Sequence, residues 1–540
     1  MKALLFIAPL LLALAACSDY ESNVSSGNRE GILHWGNGAE PAELDPHIVT
    51  GLPEHSLMAA LFEGLVAKNP HTLAVEPAVA QSWQVSDDGR VYRFAIRPSA
   101  RWSNGEPITA EDFRWSWYRA LQPGLGNPYA YMFAPIVNAS AYASGELTDF
   151  SKVGIQVLDT LTLQVTLSNP TPFFLQLLDH YATYPVHRAT IEARGAIDER
   201  GTRWTRVEHF VGNGPFTLKE WSLNKAIVVA KSLTYWDSDT VKLKQIVFHP
   251  IGNIATEERM FRAGQLHYTY DVPTAKIERY RVEQPELLRI SPYLGTYFYR
   301  INTRLPHLQD IRVRQALSLA VDRESIVSYV TGAGELAAYT ITPPGTLAYV
   351  AQPIAGFNPD RARAQLAAAG YPNGAGFPVT EILYNSSEAH RKIAVAIQQM
   401  WKRELNIDVV LANQDWKVFL AAQTNGDYQL SRASWIGDYV DPNSFLDMWI
   451  EGGGNNRTGW SNAEFEHLVL EVAPSAATQA ARYDAFRRAE TILLQEAPII
   501  VIYTYVSKHL IHPSLRGFPA NIMNHPSFKH MSLHRAEPEI

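Results

Sequence analysis

The chain has a single cysteine, Cys17, which closes an apolar run, ALLFIAPLLLALAA, that begins directly after Lys2. That placement constrains the fold at once. One thiol makes no internal disulfide and no thiolate metal cage, so the folded body must be held by its own buried surface. A basic residue, a short apolar core and small residues before a cut site form a signal peptide, and the run is too short to span a membrane.

Ala15 and Ala16 directly before Cys17 resemble the lipobox of bacterial lipoproteins, in which the cysteine becomes the lipidated first residue. The other reading is an ordinary secretory cut site beside a chance cysteine. Residues 18–30, SDYESNVSSGNRE, are polar and serine-rich, which suits a flexible tether. The expected location is the periplasm or cell envelope, with an anchor at Cys17 in the inner or outer membrane. No later stretch approaches the roughly 18 consecutive apolar residues of a membrane helix.

A chain of 540 residues exceeds one ordinary domain and divides into two or three. Its 46% hydrophobic and 19% charged residues describe a globular protein, and a formal charge of -7 argues against nucleic acid as a partner. The 13 Trp, 25 Tyr and 21 Phe serve large cores or the walls of a binding site. Strand-like alternation over 91–98 and 161–170 is interleaved with helical periodicity over 310–330 and with a helix followed by a strand over 388–412. FNPDRARAQLAAAGYP predicts a capped helix ending at Gly370. The expected class is α/β.

Catalytic signatures are missing. There is no P-loop, GxSxG elbow or HExxH, and the 17 histidines are scattered. A Ser/His/Asp triad, whose members need not be neighbours in sequence, has no positive indication. No cofactor and no catalysis are expected; an exported peptide hydrolase is the competing class.

Seven phrases stand out: LDPH (44–47), LFEGL (61–65), RWSNGEPITAEDFRWSW (101–117), NGPFTLKEW (213–221), YWD (235–237), IRVRQALSLAVDR (311–323) and RASWIGDYVDPNSFL (432–446). In this order they resemble the family 5 extracellular solute-binding proteins, and among them the oligopeptide-binding lipoproteins that serve ABC importers. Several also have plain structural readings, with Asn104-Gly105 as a turn and Trp117 and Trp221 as core. The resemblance implies two lobes around a cleft plus an inserted domain. After the signal segment 1–17 and tether 18–30, it implies a first lobe from 31–52, 183–294 and 506–540, an inserted domain 53–182, and a second lobe 295–505.

A free peptide is a zwitterion, and a protein that buries it must pair both ends. By the resemblance, Asp438 of GDY takes the α-ammonium. The segments near Glu40 to Ala42, Gly295, and Arg432 to Trp435 pair with the extended peptide backbone, Tyr270 belongs to the same peptide-binding set, and Trp416 and Trp435 wall side-chain pockets. Asp441, beside Pro442, reads as a turn or helix cap. His390 and Arg432 match basic positions for peptide carboxylates, whereas Thr331 and Gln423 stand where well-known members carry Lys and Arg. A narrowed range of peptide lengths is therefore expected, with binding weaker as pH rises if His390 must be charged; the alternative is that ordered water and other side chains screen the carboxylate and leave length tolerance broad. The implied partners are short peptides and an inner-membrane permease, with the protein itself a monomer. Murein tripeptide, dipeptide and haem remain alternative ligands within the class.

Overall fold

The computed structural model describes residues 21–534, and the side chains of residues 416 and 417 are not among those described. Cys17 and the signal segment therefore lie outside the described residues. Three larger sheets organise the chain. Ile32–Gly36 pairs in parallel with Gln245–His249, which continues antiparallel through Ala226–Lys231 to Phe216–Ser222. A second, wholly antiparallel sheet runs Ala80–Val85, Val91–Ile96, Thr162–Thr166, Ile155–Asp159. The predicted alternation holds there, with Tyr92, Phe94 and Ile96 all turned into the core.

The third sheet is mixed, in the order Leu336–Ala337, Ile499–Leu510, Leu288–Ile301, Leu430–Ile436, Thr380–Asn385, Val409–Gln414. Thr380–Asn385 runs parallel to both Leu430–Ile436 and Val409–Gln414, and is joined to the latter through the helix Glu388–Leu405. That helix starts where Ser387 Oγ accepts the His390 N–H and stops at Asn406 in the left-handed conformation. The helix Pro359–Ala368 is likewise capped, by Asn358, and its chain turns at Gly370 with φ of 98°.

Two long strands, Leu288–Ile301 and Ile499–Leu510, leave the third sheet together. Their register shifts between Pro292 and Thr296, so that Tyr293, Leu294 and Gly295 lie opposite Tyr505. Such a bulge bends the ribbon. Past it, Leu510 and Ile511 meet Thr269 and Tyr268 beside the first sheet.

Most of the recurring phrases prove to be joints. Asn213 of NGPF clamps Glu63 of LFEGL, accepting its N–H at 3.0 Å and donating to its carbonyl at 2.8 Å. The Glu63 carboxylate in turn accepts from the Tyr235 hydroxyl and, at 2.6 Å, from Trp236 Nε1 of YWD. A Cβ on Gly214 would sit 2.4 Å from the Phe62 amide nitrogen, so only glycine allows this approach. Asp45 of LDPH forms a buried pair with Arg119, 2.6 Å at its shortest. Trp117 is fully buried, whereas Trp221 is only partly so and donates to Glu40 at 2.6 Å.

Two expectations need correction. The helix read over 310–330 ends at Leu319; after a short turn Asp322 caps a new segment, which closes as a wider turn with Gly332 N–H on the Val327 carbonyl. The break lets the buried Arg323 reach the carbonyls of Ser318, Val321 and Val501. The tether is also shorter than read, because Asn23–Glu30 is a helix capped by Ser22 and Gly31 and tied down by Val24 N–H on the Gly264 carbonyl. Its buried Val24 and Gly27 replace the solvation that a flexible segment would keep. Among the described residues no helix is long and apolar enough to cross a membrane.

Candidate functional site

The strand Leu430–Ile436 is the backbone of the site. Its register, Gly295 against Ile436 through Tyr299 against Arg432, sends Arg432, Ser434 and Ile436 to one face and Ala433 and Trp435 to the other. Gly295 is held in a crowded position, since a Cβ there would lie 2.3 Å from Ile436 Cδ1. After the strand, Gly437 turns the chain and Trp435 Nε1 bonds the Ser444 carbonyl at 2.6 Å, bracing the loop that follows.

That loop holds three carboxylates with three different fates. Asp441 is buried and paired twice to Arg482, at 2.8 and 2.7 Å, while its Oδ1 also caps Asn443 N–H at 2.9 Å. The expected cap is present, and the ion pair is added to it. Asp447 accepts from Asn443 Nδ2 at 3.0 Å and more weakly from Tyr439, and burial next to Asp438 pushes it up to about 8. Asp438 accepts a hydrogen bond from the Tyr131 hydroxyl at 2.7 Å, and its own N–H rests on Ser444 Oγ at 3.0 Å. Among the described residues no cation stands within ion-pair distance of Asp438. Burial raises its pKa to about 6, opposed by the Tyr131 hydrogen bond and the more distant Lys68. It is a carboxylate with a proton donor on one oxygen and a demand for positive charge.

Arg432 supplies the opposite sign. It is 92% buried, since only 8% of its surface is exposed. Its guanidinium lies over the Tyr297 ring at 4.9 Å and donates to Tyr505 at 3.1 Å and, at a stretched 3.4 Å, to Asn385. Its Nε has no partner. His390 approaches the same tyrosine, with Nδ1 3.4 Å from the Tyr297 hydroxyl. Burial, then repulsion by Arg432, drives the His390 pKa down to about 2. In the peptide-free chain His390 is therefore held neutral.

Tyr270 comes from the other side. Its N–H is fixed on Glu257 at 2.9 Å and its ring covers Gly38, where a Cβ would meet ring carbons at 2.6 Å. With Tyr268 and Tyr293 it faces Ser434, Ile436 and Tyr505 across a cavity of about 300 Å³. Glu40 and Ala42 line neither this cavity nor a larger one of about 760 Å³ behind Tyr131 and Asp447. The Glu40 carboxylate holds Trp221 and Asn224, and the Ala42 N–H is taken by Glu54 at 2.8 Å. The helix Trp416–Asn425 brings in position 416, whose side chain is outside those described. Gln423 is 3% exposed and bonds Ser431 and the Arg432 carbonyl, so its side chain is not on the open face of the strand. Thr331 bonds back to its own Val327 carbonyl.

Tyr131 and Asp447 were not read from the sequence. Tyr131 lies 307 positions from its partner and carries no local motif, so only folding joins the two. The same interface stacks Phe173 on Tyr439 at 5.1 Å and places Gln176 on the Val440 N–H at 3.1 Å.

Residues 74–457 match the family model of bacterial extracellular solute-binding proteins, family 5. The chain is 34% identical to the periplasmic oligopeptide-binding protein OppA of Escherichia coli over 96% of both chains. The structure of the E. coli murein tripeptide-binding protein MppA superposes with a TM-score of 0.85 at 34% identity, covering 94% of this chain and 98% of that one. Haemophilus influenzae OppA in complex with RPPGFSPFR gives 0.84 at 29% identity, covering 94% and 99%. These neighbours are two-lobed periplasmic binding proteins of mixed α/β content, and the present fold is of that kind.

Proposed function

The chain belongs to the family 5 bacterial extracellular solute-binding proteins, and from that membership we propose that it encloses short peptides between its lobes and passes them to the permease of an ABC importer. The observation that carries the assignment to this site is Asp438, a half-buried carboxylate with a hydroxyl donor and, among the described residues, no cation within ion-pair distance. It takes the peptide α-ammonium. Arg432, with an unpartnered Nε among tyrosines, takes the far carboxylate. The six residue steps from Arg432 to Asp438 are extended for most of their length, about 15–20 Å at ~3.3 Å per residue. Allowing for side-chain reach, that suits an extended peptide of about three to five residues. Main-chain pairing along the strand makes such binding tolerant of sequence.

The remaining assignments rest on the same reading: the body divides into the two lobes and inserted domain set out from the sequence, acts as a monomer in the periplasm, and releases its ligand chemically unchanged. Murein peptides present the same terminal charges, and the resemblance to MppA makes them the first alternative ligand to include in a binding panel.

Affinity is expected to fall as the solution is acidified. Free Asp438 titrates near 6, and an ammonium stabilises only its ionised form, lowering the pKa in the complex. Binding is full above the free pKa and weakens as pH drops through it, by at most about tenfold per pH unit. Between pH 5 and 7 the peptide termini keep their charges and His390 stays neutral, so neither opposes the trend. Calorimetry with tri- to pentapeptides and a murein tripeptide between pH 5 and 7.5 checks this. Affinity that rises toward pH 5, or peptide recovered cleaved, contradicts the reading.

We assign the membrane anchor to Cys17, supported by the small residues before it and by its being the only thiol. Cys17→Ser is expected to move the protein from the membrane to the soluble fraction, read by blotting fractionated cells. Retention on membranes in that variant refutes the anchor.

A further inference from the structure

Arg300 pairs across the sheet with Ser431, and Arg432 with Tyr299, so the strand alternation turns Arg300 to the face opposite Arg432. There it meets Arg457, which follows the glycine-rich stretch 452–454. The Nη1 atoms of both arginines converge on one atom, Gln423 Oε1, at 3.3 and 3.1 Å. The amide has no freedom to turn its other end to them, because its Nε2 is engaged by Ser431 Oγ and the Arg432 carbonyl, both at 2.8 Å. Arg300 is 5% exposed, and both arginines bury an Nε that has no partner. Among the described residues the only other acceptor for Arg300 is the Asn455 carbonyl, at a stretched 3.5 Å.

Among the described residues no carboxylate lies within ion-pair distance of either guanidinium. One buried and one partly buried positive charge thus share one neutral oxygen, an arrangement that is costly without an anion. Asn455 and Arg457 also line the 760 Å³ cavity, which gives a solute access to the pair. Met448, Ile450 and Val469 on the wall of that cavity offer no donors, while Asn127, Asn443 and Arg482, which also line it, do.

We propose that Arg300 and Arg457 form a site for a small monovalent anion of halide size, separate from the peptide cleft. Its occupant offsets the repulsion between the two guanidiniums and stabilises the folded chain, because it binds the native state and not the unfolded one. The test is thermal unfolding in sodium chloride or bromide against sodium methanesulfonate at equal ionic strength. A halide-specific rise in Tm that saturates with concentration is expected. Gln423→Glu supplies a carboxylate at the point of convergence, though it gives up the Nε2 bond to the Arg432 carbonyl, and is expected to abolish the halide effect; Arg457→Gln abolishes it by removing a cation. Anomalous diffraction from bromide-soaked crystals is expected to place a peak between the two guanidiniums. Equal Tm in the salts, a halide effect unchanged in both variants, or bromide peaks only elsewhere overturns the proposal.

Discussion

Asp438→Asn is expected to weaken binding of a free-amine peptide by about 2 to 5 kcal/mol, the cost of removing one member of a buried charge pair. The same substitution is expected to make the peptide-free protein more stable. Both follow from one fact: Asp438 is kept partly out of water without a cation, with its pKa raised to about 6. In the unfolded chain an aspartate titrates near 3.9. The folded state therefore binds the extra proton between these values, and the ionised carboxylate destabilises the native protein increasingly as pH rises through that window, fully above about 6. A shift of about two units corresponds to roughly 3 kcal/mol, an upper figure because the Asn side chain must still satisfy Tyr131. Asparagine keeps the shape and can accept from the Tyr131 hydroxyl, so the loop should survive. Calorimetry with a peptide and its N-acetylated form, together with urea unfolding at pH 7, separates the effects. The acetylated peptide should bind wild type weakly and lose little more in the variant; equal losses for both peptides, or a destabilised variant, would remove Asp438 from the ammonium role.

Three residues on, the expectation reverses. Arg482→Leu should destabilise the protein by about 3 to 5 kcal/mol, because it leaves Asp441 buried with its charge unmatched. Asp441 and Arg482 are 3% and 4% exposed, and the guanidinium is also packed between Phe173 and Phe486 at 5.0 and 4.7 Å. The double variant Asp441→Leu/Arg482→Leu should recover much of the loss, since an apolar pair at such a site is often no worse than an ionic one. Urea midpoints for wild type, both single variants and the double variant give the coupling energy. A single-variant loss under about 1 kcal/mol, or a double variant less stable than either single one, would show that the pair is not the fastening it looks to be. One loop thus holds a carboxylate without a cation within ion-pair distance among the described residues and another paired to Arg482.

The local content of the sequence was legible where neighbours decide structure. The alternation at 91–96, the helix at 388–405 and the turn at Gly370 all follow from periodicity and caps. The phrases that carry the family resemblance could be seen, yet their purpose could not. Glu63, Asn213 and Trp236 form one joint, which no spacing in the chain reveals. The helix over 310–330 was overextended because apolar periodicity continues past Leu319, while the break serves Arg323, whose acceptor on Val501 is 178 positions away.

The sequence by itself determined the α/β class and the family, because these depend on short-range pattern and composition. Only the tertiary structure decided which charges are active. Asp438 and Asp441 are the same residue type in one phrase, but the partner of one is Tyr131 and of the other Arg482, and each partner arrives from a distant segment. His390 is neutral and Gln423 faces away from the cleft for the same reason. Charge state and direction depend on burial and on neighbours in space, and a linear pattern contains neither.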